Sequence, residues 1–164
     1  MTKHILSVLV ENKFGVLARI SGLIAGRGFN IDSLAVGETE DPTVSRMTIV
    51  VDGDNKVLEQ VKKQLNRLVD VISIQDLTRG EYLERELILA KVSVTAKTRP
   101  EVVDIARTLQ AEVADVGVKT LTVVLVGNTT KVKTLLDLMA PYGLREVVRT
   151  GRVAIGRDGA ANAG

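Results

Sequence analysis

The chain has 164 residues, with 22 Lys and Arg against 20 Asp and Glu, one His, no Cys, no Trp, two Phe and two Tyr. That is a globular composition, long enough for one ordinary domain or two small ones. It excludes disulfide scaffolds, cysteine-based zinc sites, CxxC redox chemistry and thiol nucleophiles, and a lone His4 leaves nothing for a Ser-His-Asp triad or a multi-histidine metal site.

The first residues, Met1 to His4, run straight into a strand-like segment, without the regions of a signal peptide or the Arg- and Ser-rich pattern of a transit peptide. No apolar run approaches the ~20 residues of a membrane span, so a cytoplasmic chain is expected. Residues 4–11 are apolar and β-branched and read as a buried strand. Asn12-Lys13-Phe14-Gly15 breaks it with turn chemistry, and Val16, Leu17, Ile20, Leu23 and Ile24 then form a helical stripe. Gly26-Arg27-Gly28 ends that helix. Residues 30–38 and 45–51 read as strands around a polar hairpin, 38–43. Val57, Val61, Leu65 and Leu68 mark a helix face, and Val69 to Leu77 a closing strand.

After Thr78-Arg79-Gly80 the order repeats. Residues 87–94 read as a strand, and Pro100 opens a helix faced by Val102, Val103, Ala106 and Leu109. Residues 112–118 and 119–126 are two short strands turning near Gly117. Val132, Leu135, Leu136 and Met139 mark the last helix, and residues 144–155 a last strand with a bend at Gly151. Two consecutive βαββαβ units predict an α+β chain of two ferredoxin-like domains. Units this small, with open sheet edges, favour association.

Three segments and the element order itself invite a functional reading. Glu11 to Ile20 runs from a strand end through a glycine turn into a helix, whose first N–H groups carry partial positive charge and can receive a carboxylate or phosphate. Asn12 suits a zwitterion, and Val16 and Leu17 can form an apolar wall; a capped turn with no ligand is the alternative. Gly26-Arg27-Gly28-Phe29-Asn30-Ile31 lacks the ending of a P-loop and follows a helix, so it reads as a helix end leading into a strand, with Asn30 at the strand entrance able to point toward the first turn. Arg79, Glu81, Glu84, Arg85 and Glu86 read as a solvated linker or interface patch rather than a carboxylate pair held across a cleft. RNA binding by the same βαββαβ order would need aromatic residues on central strands, and none is predicted there.

Glu11-Asn12-x-x-Gly15-x-Leu17-x-Arg19-Ile20, Arg27-Gly28-Phe29-Asn30-Ile31-Asp32-Ser33-Leu34 and Ser45-Arg46-Met47-Thr48-Ile49 resemble the small regulatory subunits of acetolactate synthase (acetohydroxyacid synthase). Gln64 to Val71, Arg85 to Val92 and Arg149-Thr150-Gly151 extend the resemblance over residues 3–157. It implies an ACT domain over residues 1–78, a second ferredoxin-like domain over 79–158, and a disordered tail over 159–164. Such a subunit has no active site and no cofactor of its own. It binds and activates the catalytic subunit, and confers feedback inhibition by valine on branched-chain amino acid biosynthesis. The catalytic subunit carries thiamine diphosphate, Mg²⁺ and FAD, and makes 2-acetolactate or 2-aceto-2-hydroxybutyrate from pyruvate.

By the same resemblance the effector sits between two ACT domains of a homodimer. Asn12, Gly15, Val16 and Leu17 of one protomer would face Asn30 and Ile31 of the other, with valine's isopropyl group in a small apolar pocket that leucine or isoleucine could also enter. Two other readings stand beside this one: an amino-acid sensor acting on another enzyme or a transporter, and a small enzyme using carboxylates or lysine. Neither nucleic acid nor membrane is expected as a partner.

Overall fold

The computed structural model describes residues 2–158. The elements are β1 (Lys3–Glu11), α1 (Val16–Gly26), β2 (Asn30–Glu38), β3 (Val44–Asp52), α2 (Asn55–Asn66), β4 (Val71–Asp76), β5 (Tyr82–Ser93), α3 (Arg99–Thr108), β6 (Glu112–Val116), β7 (Thr120–Gly127), α4 (Thr129–Met139), β8 (Leu144–Arg149) and β9 (Val153–Gly156). Single 3-10 turns occupy Leu77–Arg79 and Ala140–Tyr142. The first sheet has the antiparallel order β2-β3-β1-β4, and the second β6-β7-β5-β8, with β9 added to β5. This is the expected α+β architecture of two βαββαβ units. No helix among the described residues is long and apolar enough to cross a membrane.

In the first unit, Leu6, Val8 and Val10 of β1 and Met47, Ile49 and Val51 of β3 lie on the side of the sheet that meets the helices. Ile20 and Ile24 of α1 and Leu58, Val61 and Leu65 of α2 close that core, as the helical spacing requires. Leu68 was expected on the α2 face; the helix stops at Asn66, and Leu68 packs against the core from the following turn. The opposite side of the sheet is covered as well. Ile5 and Val50 are buried beneath Leu77 and Ala154, with Tyr82 packed alongside. Burial on both faces explains why β1 reads as a continuous apolar run rather than an alternating one. His4, also in β1, is buried, with Nε2 3.2 Å from the Gly53 carbonyl oxygen.

The second unit behaves differently. Along β5, Glu86, Ile88, Ala90 and Val92 are buried while Arg85, Leu87 and Leu89 are exposed, the alternation of a sheet with one covered face. Val102 and Ala106 of α3, and Val132, Leu135 and Met139 of α4, cover the buried side. Pro100 stands in the first turn of α3, as its missing N–H and fixed φ favour.

Three sequence expectations change. The compact units divide between Leu83 and Glu84 instead of after residue 78, and residues 152–158 belong with the first unit although 79–158 was assigned to the second. The physical reason is β9: Ala154 is buried with Ile5, Val50 and Leu77, its N–H lies 3.4 Å from Thr48 Oγ1, and the Arg157 N–H donates to the Glu81 carbonyl at 2.9 Å. The last expected strand, 144–155, is two strands, because Gly151 at φ +80° breaks the chain between them. The strand expected at 87 begins at Tyr82, which puts an aromatic on a strand of the second sheet where none was expected. The tail expected over residues 159–164 lies outside the described residues.

Candidate functional site

The turn between β1 and α1 is held by backbone bonds. The Asn12 N–H donates to the Thr43 carbonyl at 2.8 Å, Lys13 N–H to Glu11 at 3.0 Å, and Val16 N–H to Lys13 at 3.3 Å. Gly15 ends the turn at φ +82°, a left-handed conformation that a side chain would strain. Gly15 is also the N-cap of α1, and α1 has neither a side-chain cap nor an acidic residue in its first turn. In α2 and α4, by contrast, Asp54 and Asn128 side chains accept from the third helical N–H. The positive end of α1 is therefore left uncompensated by its own side chains, as an anion site requires.

Beside this helix start lies a cavity of about 260 Å³. Its apolar wall includes Val10, Val16, Leu17, Val36 and Met47, and its polar rim Glu11, Asn12, Lys13, Glu38 and Ser45. Asn12 Nδ2 donates to Glu38 Oε1 at 3.1 Å and to the Pro42 carbonyl at 2.9 Å. Both amide hydrogens are thus committed, and what Asn12 can offer a ligand is its oxygen, which suits an ammonium. Lys13 pairs with Glu11 at 2.9 Å, and that hydrogen bond and negative charge raise the lysine pKa. Arg19, also in the motif, is engaged by Asp70, with Nε at 3.0 Å and Nη2 at 2.7 Å from Oδ2.

Asn12, Val16 and Leu17 line this cavity with Gly15 next to them, but Asn30 and Ile31 do not join them. Asn30 pairs with Asp52 and Ile31 with Val51, whereas Glu38, at the far end of β2, pairs with Ser45. The nine residues of β2 separate the two ends by about 26 Å at the rise of an extended strand. Strand β2 is an edge of its sheet. Glu38, Pro42, Val36 and Met47 were not expected at the site; the hairpin register that sets Glu38 opposite Ser45 brings them to Asn12 and its cavity.

The other candidate segments resolve structurally. Gly28, at φ +72°, follows the end of α1. The charged cluster read as a solvated patch is only partly so. Glu86 is 3% exposed and accepts two hydrogen bonds from Arg149, at 2.5 and 3.0 Å. Arg79 pairs with Glu59 and Asp76, both at 3.2 Å. Among the described residues there is no group of three or more His, Cys, Asp or Glu able to hold a metal.

Residues 6–73 match the family model described as an AHAS small subunit-like ACT domain, and residues 85–158 the model described as the small subunit of acetolactate synthase. The acetolactate synthase small subunit of Aquifex aeolicus is 46% identical over 157 residues, 95% of this chain and 82% of that protein. The chain belongs to the acetolactate synthase small-subunit family. The probable acetolactate synthase small subunit of Archaeoglobus fulgidus is 48% identical over 94% of this chain and 97% of its own. The crystal structure of the acetolactate synthase small subunit from Thermotoga maritima superposes with a TM-score of 0.87 at 35% identity, covering 96% of this chain and 98% of that one. The family match spans both βαββαβ units, the first of them an ACT domain, and identifies a regulatory subunit.

Proposed function

We propose that this chain binds and activates the catalytic subunit of an acetolactate synthase, performs no catalysis itself, and makes the enzyme sensitive to valine. The thiamine diphosphate, Mg²⁺ and FAD chemistry then belongs to the catalytic subunit. The observation that carries the effector reading is the start of α1: an uncapped helix N-terminus at Gly15, beside a cavity walled by valine, leucine and methionine and rimmed by Asn12 and Glu38. Valine's carboxylate meets the N–H groups of Gly15 and Leu17, on either side of the Val16 N–H that the turn itself uses, its ammonium meets the Asn12 oxygen and the Glu38 carboxylate, and its isopropyl group enters the apolar wall.

Asn30 and Ile31 act from a second protomer, since β2 holds them about 26 Å from the turn of their own chain. The open edge of β2 supports pairing of two ACT domains side by side. Valine bound across that pair shifts the complex only if it binds the inhibited arrangement more tightly than the active one.

Reconstitution tests the reading. Acetolactate formation by a purified catalytic subunit is measured alone, with this chain, and with this chain plus valine. Stimulation by the chain and its reversal by valine are expected. No stimulation overturns the assignment of partner, and stimulation without valine sensitivity overturns the effector.

A further inference from the structure

The second unit leaves one face of its sheet uncovered. Residues of like parity project there in transverse rows, set by the register of β5 with β7 and β8 and of β6 with β7. One row is Asp115, Thr122, Lys91 and Glu146, and the next is Glu112, Val124, Leu89 and Val148. Beyond them come Val126 with Leu87, and then Arg85. Leu87, Leu89, Val126 and Val148 are 36–56% exposed, an apolar centre between a charged row at one end and an arginine at the other. A hollow of about 320 Å³ opens between the charged row and the apolar centre, lined by Leu89, Lys91, Asp115, Thr122, Glu146 and Val148. Lys91 and Glu146 pair across it at 3.3 Å.

We propose that this face docks on the same face of a second copy of the chain, related by a two-fold axis that runs across the strands between Leu87 and Leu89. The charge layout selects both the occupant and the axis. An axis along the strands would set the Asp115 side of one copy over the Glu146 side of the other, carboxylate against carboxylate. An axis across the strands keeps each strand over its counterpart and reverses its direction. Leu87 then meets Leu89 of the second copy, and Arg85 reaches the hollow rimmed by Asp115 and Glu146. The roughly 30° rotation between packed sheets moves a side chain about 10 Å from the axis sideways by about one strand spacing, taking Arg85 off Lys91 and toward a carboxylate. Each end of the contact then holds Arg85 and Lys91 among Asp115, Glu146 and Glu112, two cations among three carboxylates, and the contact is self-complementary.

Four strands of this length present a face of about 400 Å² per copy, half of what a standard stable interface uses on one partner. The contact closes at high protomer concentration, or where another contact already holds two copies together. It does not depend on the effector reading.

The absence of cysteine makes the test clean. Full-length Leu89→Cys is treated with a short bismaleimide linker over a range of protein concentrations, beside Arg107→Cys on the exposed side of α3 as the control. Linked dimer should form at least tenfold faster for Leu89→Cys than for the control. Adding Arg85→Glu should cut that rate at least fivefold, and Glu146→Arg in the same chain should restore it. Equal rates for the two cysteine positions, a rate indifferent to Arg85→Glu, or linkage of Leu89→Cys only to an added catalytic subunit each overturn the proposal.

Discussion

Replacing Gly15 by aspartate puts a carboxylate where the effector's own carboxylate is placed. The backbone there is left-handed at φ +82°, so any β-carbon adds strain of about 1–2 kcal/mol. Space is not the obstacle, since a β-carbon would meet nothing nearer than Arg19 Nη1 at 3.7 Å. Two carboxylates about 4 Å apart repel by about 4 kcal/mol at an effective dielectric near 20. Screening at a half-exposed turn reduces this to about 1.5–3 kcal/mol, or roughly 10- to 150-fold in affinity. Gly15→Asn carries the same backbone strain and nearly the same volume without the charge. Calorimetric titration with valine, alongside acetolactate formation in the reconstituted complex, should show a loss of at least tenfold for Gly15→Asp and a clearly smaller one for Gly15→Asn. Equal losses for both would mean that shape and not charge is read at this turn. Undiminished valine inhibition in Gly15→Asp would refute the site.

Other consequences lie away from the effector. Asp54→Ala removes the acceptor that caps α2, 2.9 Å from the Val57 N–H, and should lower stability to urea by about 1 kcal/mol. Ala154→Arg forces a charge into the cluster of Ile5, Val50 and Leu77; protection of the β1 and β3 amides from hydrogen exchange should fall, while that of β7 amides changes less. The Thr43 hydroxyl and then its backbone N–H hold the Asp41 carboxyl below the usual aspartate range. A depressed folded-state pKa contributes stability that is present above the ordinary aspartate range and lost as pH falls through the folded value. Thr43→Val should therefore raise the Asp41 pKa in a carboxyl-carbon NMR titration, and the 38–43 hairpin should loosen at a higher pH than in the parent chain.

Much of the fold could be read from residue spacing because most elements answer to one local rule each. The α1 stripe, Pro100 opening α3 and the polar 38–43 hairpin depend on neighbours within a few residues. What escaped depends on contacts distant in sequence. Nothing near Val153 indicates that β9 leaves the second unit to seal a sheet begun at residue 3; the local signal is a glycine, which reads equally as a bend within one strand. Glu86 looks like its charged neighbours until Arg149, 63 residues on, is brought against it. At the candidate site, Gly15 and Asn12 were legible because turn and helix-start chemistry is local. Glu38 and Met47 were not, since only strand register places them there. Ile31 entered through family resemblance, and Asn30 also through its place at the strand entrance, from which it was expected to point toward the turn; the register of β2 puts both at the opposite end of the strand.

Because β9 completes the first unit from a segment that follows the whole of the second, the order of synthesis matters. Strands β1 to β4 are made well before residues 152–158, with about 70 residues between Leu83 and Arg152. At ribosomal rates of about 5–20 residues per second, that interval is roughly 4–14 s. During it the nascent ACT domain can form its helix-covered core while Ile5, Val50 and Leu77 lack Ala154 above them. The ACT domain thus gains this second cover only once residues 152–158 have been made, and a ribosome stalled before residue 152 would present an apolar sheet face to chaperones.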